Sequence, residues 1–191
     1  MRLFVALDID PAIRARLSEL VQRLKPHAPG LRFVGPETYH VTLKFLGETL
    51  KVAEIRDRLR AVRCPAFELT FRGTGFFPNE RAPRVFWAGI QAPPELAALA
   101  RAVDEAMAPL GFERERGPLK AHLTLARNSG GNPRSARADR NPAPFQRISQ
   151  ILSSAADVEF GTMAAREFYL YESRLSPSGA SYHKLERYPL G

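Results

Sequence analysis

Apolar positions along the chain fall into two alternating patterns. Residues 2–9 and 84–90 are short runs rich in Phe, Val and Ile and bounded by proline, the composition of buried strands. Behind each run the spacing changes to that of a helix. Ile13, Leu17, Leu20, Val21 and Leu24 follow Pro11, and Leu96, Leu99, Val103 and Met107 follow Pro94. A proline at a helix start costs nothing, because its missing N–H would have no intrahelical partner there. A Gly-Pro turn then leads into a second strand, over 40–46 in one case and 122–127 in the other. Between the two units the pattern predicts a helix over 52–62 and a strand over 67–77. After them come a loop rich in Gly, Pro, Asn and Arg over 128–143, a short helix over 145–152, and a hairpin of 167–175 and 181–188 around Ser-Pro-Ser-Gly.

The two units are copies of one another at the level of residues. An ungapped shift of 82 positions lays 1–43 on 83–125 with 13 identities, among them Phe4/Phe86, Ala6/Ala88, Pro11/Pro93, Leu17/Leu99 and Val21/Val103. They end in Gly35/Gly117, Pro36/Pro118, His40/His122, Thr42/Thr124 and Leu43/Leu125. Unrelated sequences would share on the order of two or three. A strand–helix–strand unit met twice predicts an α+β protein: a single bilobal domain over 1–191, with two pseudo-symmetric lobes and antiparallel sheets around a central cleft.

Composition narrows the setting. With 191 residues, 45% of them hydrophobic, the chain can fill one substantial core. A single cysteine, Cys64, rules out an internal disulfide. The apolar start meets Asp8 and Asp10 too early for a signal peptide, and no later stretch is long enough to span a bilayer. The expectation is a cytoplasmic monomer. The formal charge of +8 favours a polyanionic partner, nucleic acid first among them. Five Lys against 23 Arg also reflect a compositional habit, which reduces the weight of the charge taken alone.

Chemistry concentrates in the paired His-x-Thr strands. Alternate residues of a strand share a face, so His40 lies beside Thr42, and His122 beside Thr124, while Val41, Leu43, Leu123 and Leu125 turn to the core. An approximate two-fold axis would bring two imidazoles and two hydroxyls to one cleft. Phosphodiester hydrolysis needs a base for the attacking water and an acid for the departing oxygen. Imidazole, with an ordinary pKa of about 6.5, serves in either state near neutral pH. The threonine hydroxyls are placed to donate to the non-bridging oxygens. One His-x-Thr strand would be an ordinary structural feature; two at matched positions of a duplication make a candidate site. No His-x-His, Cys partner or His-Glu-x-x-His spacing accompanies either histidine, so no metal is expected.

The opening Met-Arg-Leu-Phe-Val-Ala-Leu-Asp-Ile, the segment His40-Val-Thr-Leu-Lys-Phe-Leu-Gly47 and the segment His122-Leu-Thr-Leu-Ala-Arg127 resemble the two-histidine phosphoesterase superfamily. Its HxTx motif occurs twice here. The branch they resemble is that of the RNA 2′,3′-cyclic phosphodiesterases, also called 2′-5′ RNA ligases. Glu172-Ser-Arg-Leu and Ser178-Gly-Ala-Ser-Tyr182 resemble that branch's carboxy-terminal hairpin. The resemblance implies hydrolysis of an RNA-terminal 2′,3′-cyclic phosphate to a 2′-phosphate, with 2′-5′ joining as the accompanying reaction and no metal or nucleotide cofactor. It also implies that His40 protonates the departing 3′ oxygen and His122 activates water. Two features depart from the family pattern: Lys120-Ala121 precedes the second motif where proline before His is usual, and the loop after Arg127 is long and Arg-rich. Two competing readings are a non-catalytic RNA-binding protein and a phosphodiesterase for small nucleotide cyclic phosphates.

Residues around the motifs follow. By the family pattern Arg127 closes the second motif and binds phosphate. Strict alternation puts it on the face opposite His122 and Thr124, unless the strand bends, and there a structural salt bridge is the rival reading. By the same period of two, Lys44 shares the face of His40. Arg134, Arg137, Arg140 and Arg147, opposed only by Asp139, are candidates to track an RNA backbone, with a solvated loop as the alternative. His27 and His183 are assigned no part in the chemistry. The aromatic residues, Trp87 and Phe86 among them, are expected mainly in the core, with one or two stacking a base as the alternative, between which the sequence does not choose.

Overall fold

A computed structural model describes residues 1–128, 142–153, 158–176 and 179–191. Arg134, Arg137 and Arg140 therefore lie outside the described residues. The described chain is α+β, with two antiparallel sheets and four α-helices. Strands β1 (Arg2–Asp8), β3 (His40–Glu48), β8 (Glu167–Ser176) and β9 (Gly179–Pro189) form a four-stranded sheet in the order β3-β1-β8-β9. The second sheet has the order β2-β6-β5-β4-β7, from β2 (Leu31–Phe33), β4 (Phe67–Phe77), β5 (Val85–Gln91), β6 (His122–Asn128) and β7 (Glu159–Ala165).

The helices form where the spacing predicts them. Helix α1 (Pro11–Leu24) buries Ile13, Leu17, Leu20, Val21 and Leu24, and α3 (Pro94–Met107) buries Leu96, Leu99, Ala100, Val103 and Met107. Each fully buried Leu, Ile, Val or Met side chain contributes roughly 1.5–3 kcal/mol to holding its helix down. α1 packs on β7 of the five-stranded sheet and α3 on β3 of the four-stranded sheet. Each helix thus reaches the other lobe's sheet, and one continuous core joins the two halves. The remaining helices are α2 (Val52–Arg60) and α4 (Ala143–Leu152). Arg147 lies on α4, exposed to solvent.

Two strands lie outside what the sequence pattern predicts. β2 is only three residues long, and β7 contains Gly161 at φ +123° with Thr and Ala around it, so neither carries a run of branched or aromatic residues.

The ungapped alignment of the two copies does not hold in the first strands. Asp8 pairs with His40 and Gly89 with His122, one position short of the 82-residue offset. The helices start at Pro11 and Pro94, one position beyond it. The slip matters because strand side chains alternate. Phe86 and Ala88 belong to the main core, whereas Phe4 and Ala6 lie in a separate cluster with Tyr169 and Tyr171 on the other face of their sheet. The identities Phe4/Phe86 and Ala6/Ala88 are therefore not structurally equivalent positions.

Candidate functional site

His40 and His122 are the first residues of β3 and β6, the strands at which the two sheets meet. Each ring is anchored in the same way. Nδ1 of His40 lies 2.7 Å from the carbonyl oxygen of Thr38, and Nδ1 of His122 lies 2.7 Å from that of Lys120. A carbonyl only accepts, so Nδ1 is the donor in both and Nε2 is the nitrogen left for a substrate. An aromatic ring braces each imidazole edge-on: Tyr182 against His40 at 5.1 Å and 87°, Phe77 against His122 at 4.9 Å and 89°. Phe4 adds a second contact to His40 at 4.8 Å. The turns before the two histidines differ despite their shared Gly-Pro. Gly35 has an extended backbone and Thr38 donates its hydroxyl back to the Gly35 carbonyl at 2.7 Å, whereas Gly117 has φ +115° and Lys120 stands where Thr38 does.

Register decides which residues join the histidines. In β3, Ala6 pairs with Thr42 and Val5 with Lys44, leaving Leu43 as an extra residue. In β6, Trp87 pairs with Thr124 and Phe86 with Ala126, leaving Leu125 extra. Each is a β-bulge, after which the inside and outside positions exchange. Two expectations change as a result. Lys44 does not share the face of His40: it is 2% exposed, its Nζ lies 2.5 Å from Asp104 Oδ1 on α3, and it also donates to the Glu113 carbonyl at 2.8 Å. Arg127 returns to the face of Thr124, where its Nη2 approaches the Thr124 hydroxyl to 3.5 Å. The strand bend is what admits it.

The two histidines have different surroundings. Burial pushes the His40 pKa below the usual imidazole value; its hydrogen bond to Thr38 and the carboxylate of Asp8 pull it up, while the charges of Arg127 and His122 push it down. Arg127 and His122 are thus near enough for their charges to act on His40. Asp8, paired across the strands with His40, is held by Arg14 at 2.8 Å and Lys184 at 2.5 Å; the matching position beside His122 is Gly89. Thr42 and His122 open onto a groove of about 570 Å³, and His40 onto a smaller one of about 210 Å³ lined by Asp8, Tyr39, Tyr171 and Tyr182. Burial, assisted by the nearby Glu37 carboxylate, raises the Tyr39 phenol to about 12, so it stays protonated.

Among the described residues no three His, Cys, Asp or Glu side chains converge as a metal site would require. No described helix is long and apolar enough to cross a membrane. His27 and His183 are both exposed, the first after α1 and the second on β9. Phe86 is buried in the core, whereas Trp87 lies beside Phe77 at 5.1 Å on the side of His122. Sequence reasoning passes over Asp8, Phe77 and Tyr182, which reach the histidines only through strand pairing and the closing hairpin.

Comparison with known proteins places this geometry. The model of the LigT-like phosphoesterases matches residues 7–87, which include the first His-x-Thr strand. A protein of Archaeoglobus fulgidus named RNA 2′,3′-cyclic phosphodiesterase is 38% identical over 97% of this chain and 98% of its own length. The chain belongs to the LigT-like phosphoesterase family. Another of its relatives, from Methanothermobacter thermautotrophicus and with the same name, is 33% identical over 100% of this chain and 99% of its own. Among solved structures, a Thermus thermophilus protein superimposes with a TM-score of 0.76 at 30% identity, covering 99% of this chain and 97% of that one. LigT of E. coli, in complex with 3′-AMP, gives 0.75 at 28% identity over 99% and 97%. The bilobal arrangement of two antiparallel sheets is thus shared by this LigT-like phosphoesterase and its relatives.

Proposed function

We propose that this protein hydrolyses the 2′,3′-cyclic phosphate at an RNA end to a 2′-phosphate, with His40 and His122 as one acid–base pair. The observation that carries the reading is the matched anchoring of the two rings, each with Nδ1 on the carbonyl two residues before it and Nε2 free for chemistry. The names of relatives spanning the whole chain support the substrate class.

In the proposed reaction His122 Nε2 takes a proton from water as the oxygen attacks phosphorus. The bond from phosphorus to the 3′ oxygen breaks, and His40 Nε2–H protonates that oxygen. Thr42, Thr124 and Arg127 hold the non-bridging oxygens as charge builds on them. With a 5′-hydroxyl in place of water, the same displacement forms a 2′-5′ bond. Neither step calls for a metal or a nucleotide cofactor.

The lowered pKa of His40 bears on the division of roles. In the empty cleft it favours the neutral ring, which alone would suit a base. A bound phosphate reverses the balance by setting a negative charge beside the ring and offsetting Arg127. Binding of a nucleoside 2′-monophosphate near pH 6–7 should therefore shift His40 toward its protonated form, seen as a His40-dependent proton uptake in the buffer dependence of the binding enthalpy. Loss of that uptake in His40→Asn ties it to this residue; uptake unchanged by the substitution removes the argument.

The test of the division itself uses sulfur at the bridging 3′ position, since a thiolate departs without a proton. That substrate should restore activity lost in His40→Ala by roughly 10²-fold or more, and restore little in His122→Ala. Rescue of His122→Ala instead reverses the roles, and a 3′-phosphate product from the natural substrate refutes the regiochemistry.

A further inference from the structure

The two copies part company beside their histidines. Directly paired strand residues carry their side chains on one face, with Cβ atoms about 4.5–5.5 Å apart. The residue so paired with His40 is Asp8, whereas His122 is paired with Gly89. A Cβ at Gly89 would stand 2.3 Å from the Arg72 carbonyl oxygen, so backbone occupies the room that a carboxylate would need there. The Asp8 carboxylate, by contrast, is clamped in place. Its Oδ1 accepts from the Ile9 N–H and from Arg14 Nη2, both at 2.8 Å, and its Oδ2 accepts from Lys184 Nζ at 2.5 Å. Arg14 also donates to the Pro36 carbonyl, in the turn before His40, and Lys184 lies over the Tyr169 ring at 4.0 Å. Groups from α1 and β9 thus hold a negative charge of β1 beside one of the two imidazoles.

Resting on the proposed acid–base pair, we propose that Asp8 is the positioning residue that holds a proton on His40 and so gives it the acid's part. A carboxylate at this range favours the imidazolium, the form able to protonate a departing oxygen. It works through space, because His40 Nδ1 is committed to the Thr38 carbonyl. From the other elements His40 faces Arg14 of α1, Glu37 in the turn before it, Tyr171 of β8, and Tyr182 and Lys184 of β9. Arg127 and His122 of β6 act on it as well. Burial keeps the phenols of Tyr171 and of the adjacent Tyr39 protonated and uncharged. Asp8 is the carboxylate that favours a proton on His40, while Glu37 acts on Tyr39. Without the Asp8 charge, the cations Arg14, Lys184 and Arg127 would together oppose that proton. At the matching place beside His122 there is only backbone, which leaves that ring to serve as base.

Asp8→Asn and Lys184→Met break the same ion pair, yet they should move His40 in opposite directions, whereas a purely structural role would make both do the same harm. Two readouts are compared with wild type. One is the titration of His40 by NMR in ligand-free protein, its resonance assigned with His40→Asn; the other is the pH dependence of kcat on a nucleoside 2′,3′-cyclic phosphate. Asp8→Asn should make His40 lose its proton at lower pH. Its kcat should then stay near wild type on the acid side of the profile and fall about tenfold on the alkaline side, where the imidazolium has gone. Lys184→Met removes an opposing cation, so His40 should titrate at higher pH and the alkaline limb should follow it upward. Shifts of the same sign in the two variants, a His40 titration that neither variant moves, or a loss of kcat confined to the acid side overturns the proposal. Opposite shifts of His40 in a protein that turns over no cyclic phosphate sink the hydrolytic reading and uphold Asp8 as the residue that holds the proton.

Discussion

Alanine at His40 or at His122 should each lower kcat on a 2′,3′-cyclic phosphate by about 10³-fold or more, and alanine at both should cost little beyond the worse single change. The magnitude is that of losing a positioned acid or base. The lack of additivity follows from the proposed mechanism, in which proton removal and proton delivery belong to one displacement: with one partner gone, the other has nothing to complete. Both rings stand at the start of their strands and neither belongs to the main core. The variants should therefore unfold within a few degrees of wild type, so that lost turnover is not lost structure. Steady-state rates of the four proteins decide the matter. Losses that multiply through the double variant would mean two histidines acting independently, and the paired mechanism would have to be abandoned.

Asp104→Ala should destabilise the fold by about 3–5 kcal/mol, the range for removing one partner of a buried ion pair. Lys44 Nζ is nearly inaccessible, with 1% side-chain exposure against 14% for Asp104. Without the carboxylate, the ammonium keeps the Glu113 carbonyl but has no opposing charge. For a chain of this size the loss corresponds to a fall in Tm of roughly 6–20 °C. Lys44→Met should cost much less. It removes the buried charge itself, leaves Asp104 more exposed and still accepting from the Glu115 backbone N–H at 3.3 Å, and puts an apolar side chain where the other copy has buried Ala126. Urea or thermal unfolding of the two variants measures the difference. Equal destabilisation by both would show that contact loss, rather than a stranded charge, governs this site.

Much of this molecule is readable along the chain. Helices α1 and α3 follow directly from the three-to-four spacing of Leu, Val, Ile and Met behind a proline, since burying that stripe is the main gain available to those segments. The strands of the two His-x-Thr motifs and the carboxy-terminal hairpin follow from alternation and from turn residues. The histidines themselves stand out because residue identity survives at matched places in a repeat whose other surface has diverged. Local pattern suffices for such features, because propensity, amphipathic period and motif are all properties of neighbours in sequence.

The partners of the histidines are settled elsewhere. A β-bulge has no reliable signature within its own strand, because it records a mismatch in length against a neighbouring strand. Leu43 and Leu125 look like ordinary core residues, yet they reverse the facing of everything after them. Lys44 goes to Asp104, Phe45 to the groove and Arg127 to Thr124 for that reason alone. The same one-residue arithmetic puts Phe4 and Phe86 on opposite faces although the sequences align there, because pairing with His40 and His122 sets the register and the identity of a side chain does not. Asp8, Phe77, Tyr171 and Tyr182 reach the site from strands distant in sequence. Interactions among near neighbours, all written in the order of residues, specify the elements and mark His40 and His122 as the candidate pair. Which side chains surround that pair is a matter of strand register and sheet order, and these are fixed only when distant segments meet and bury their faces together.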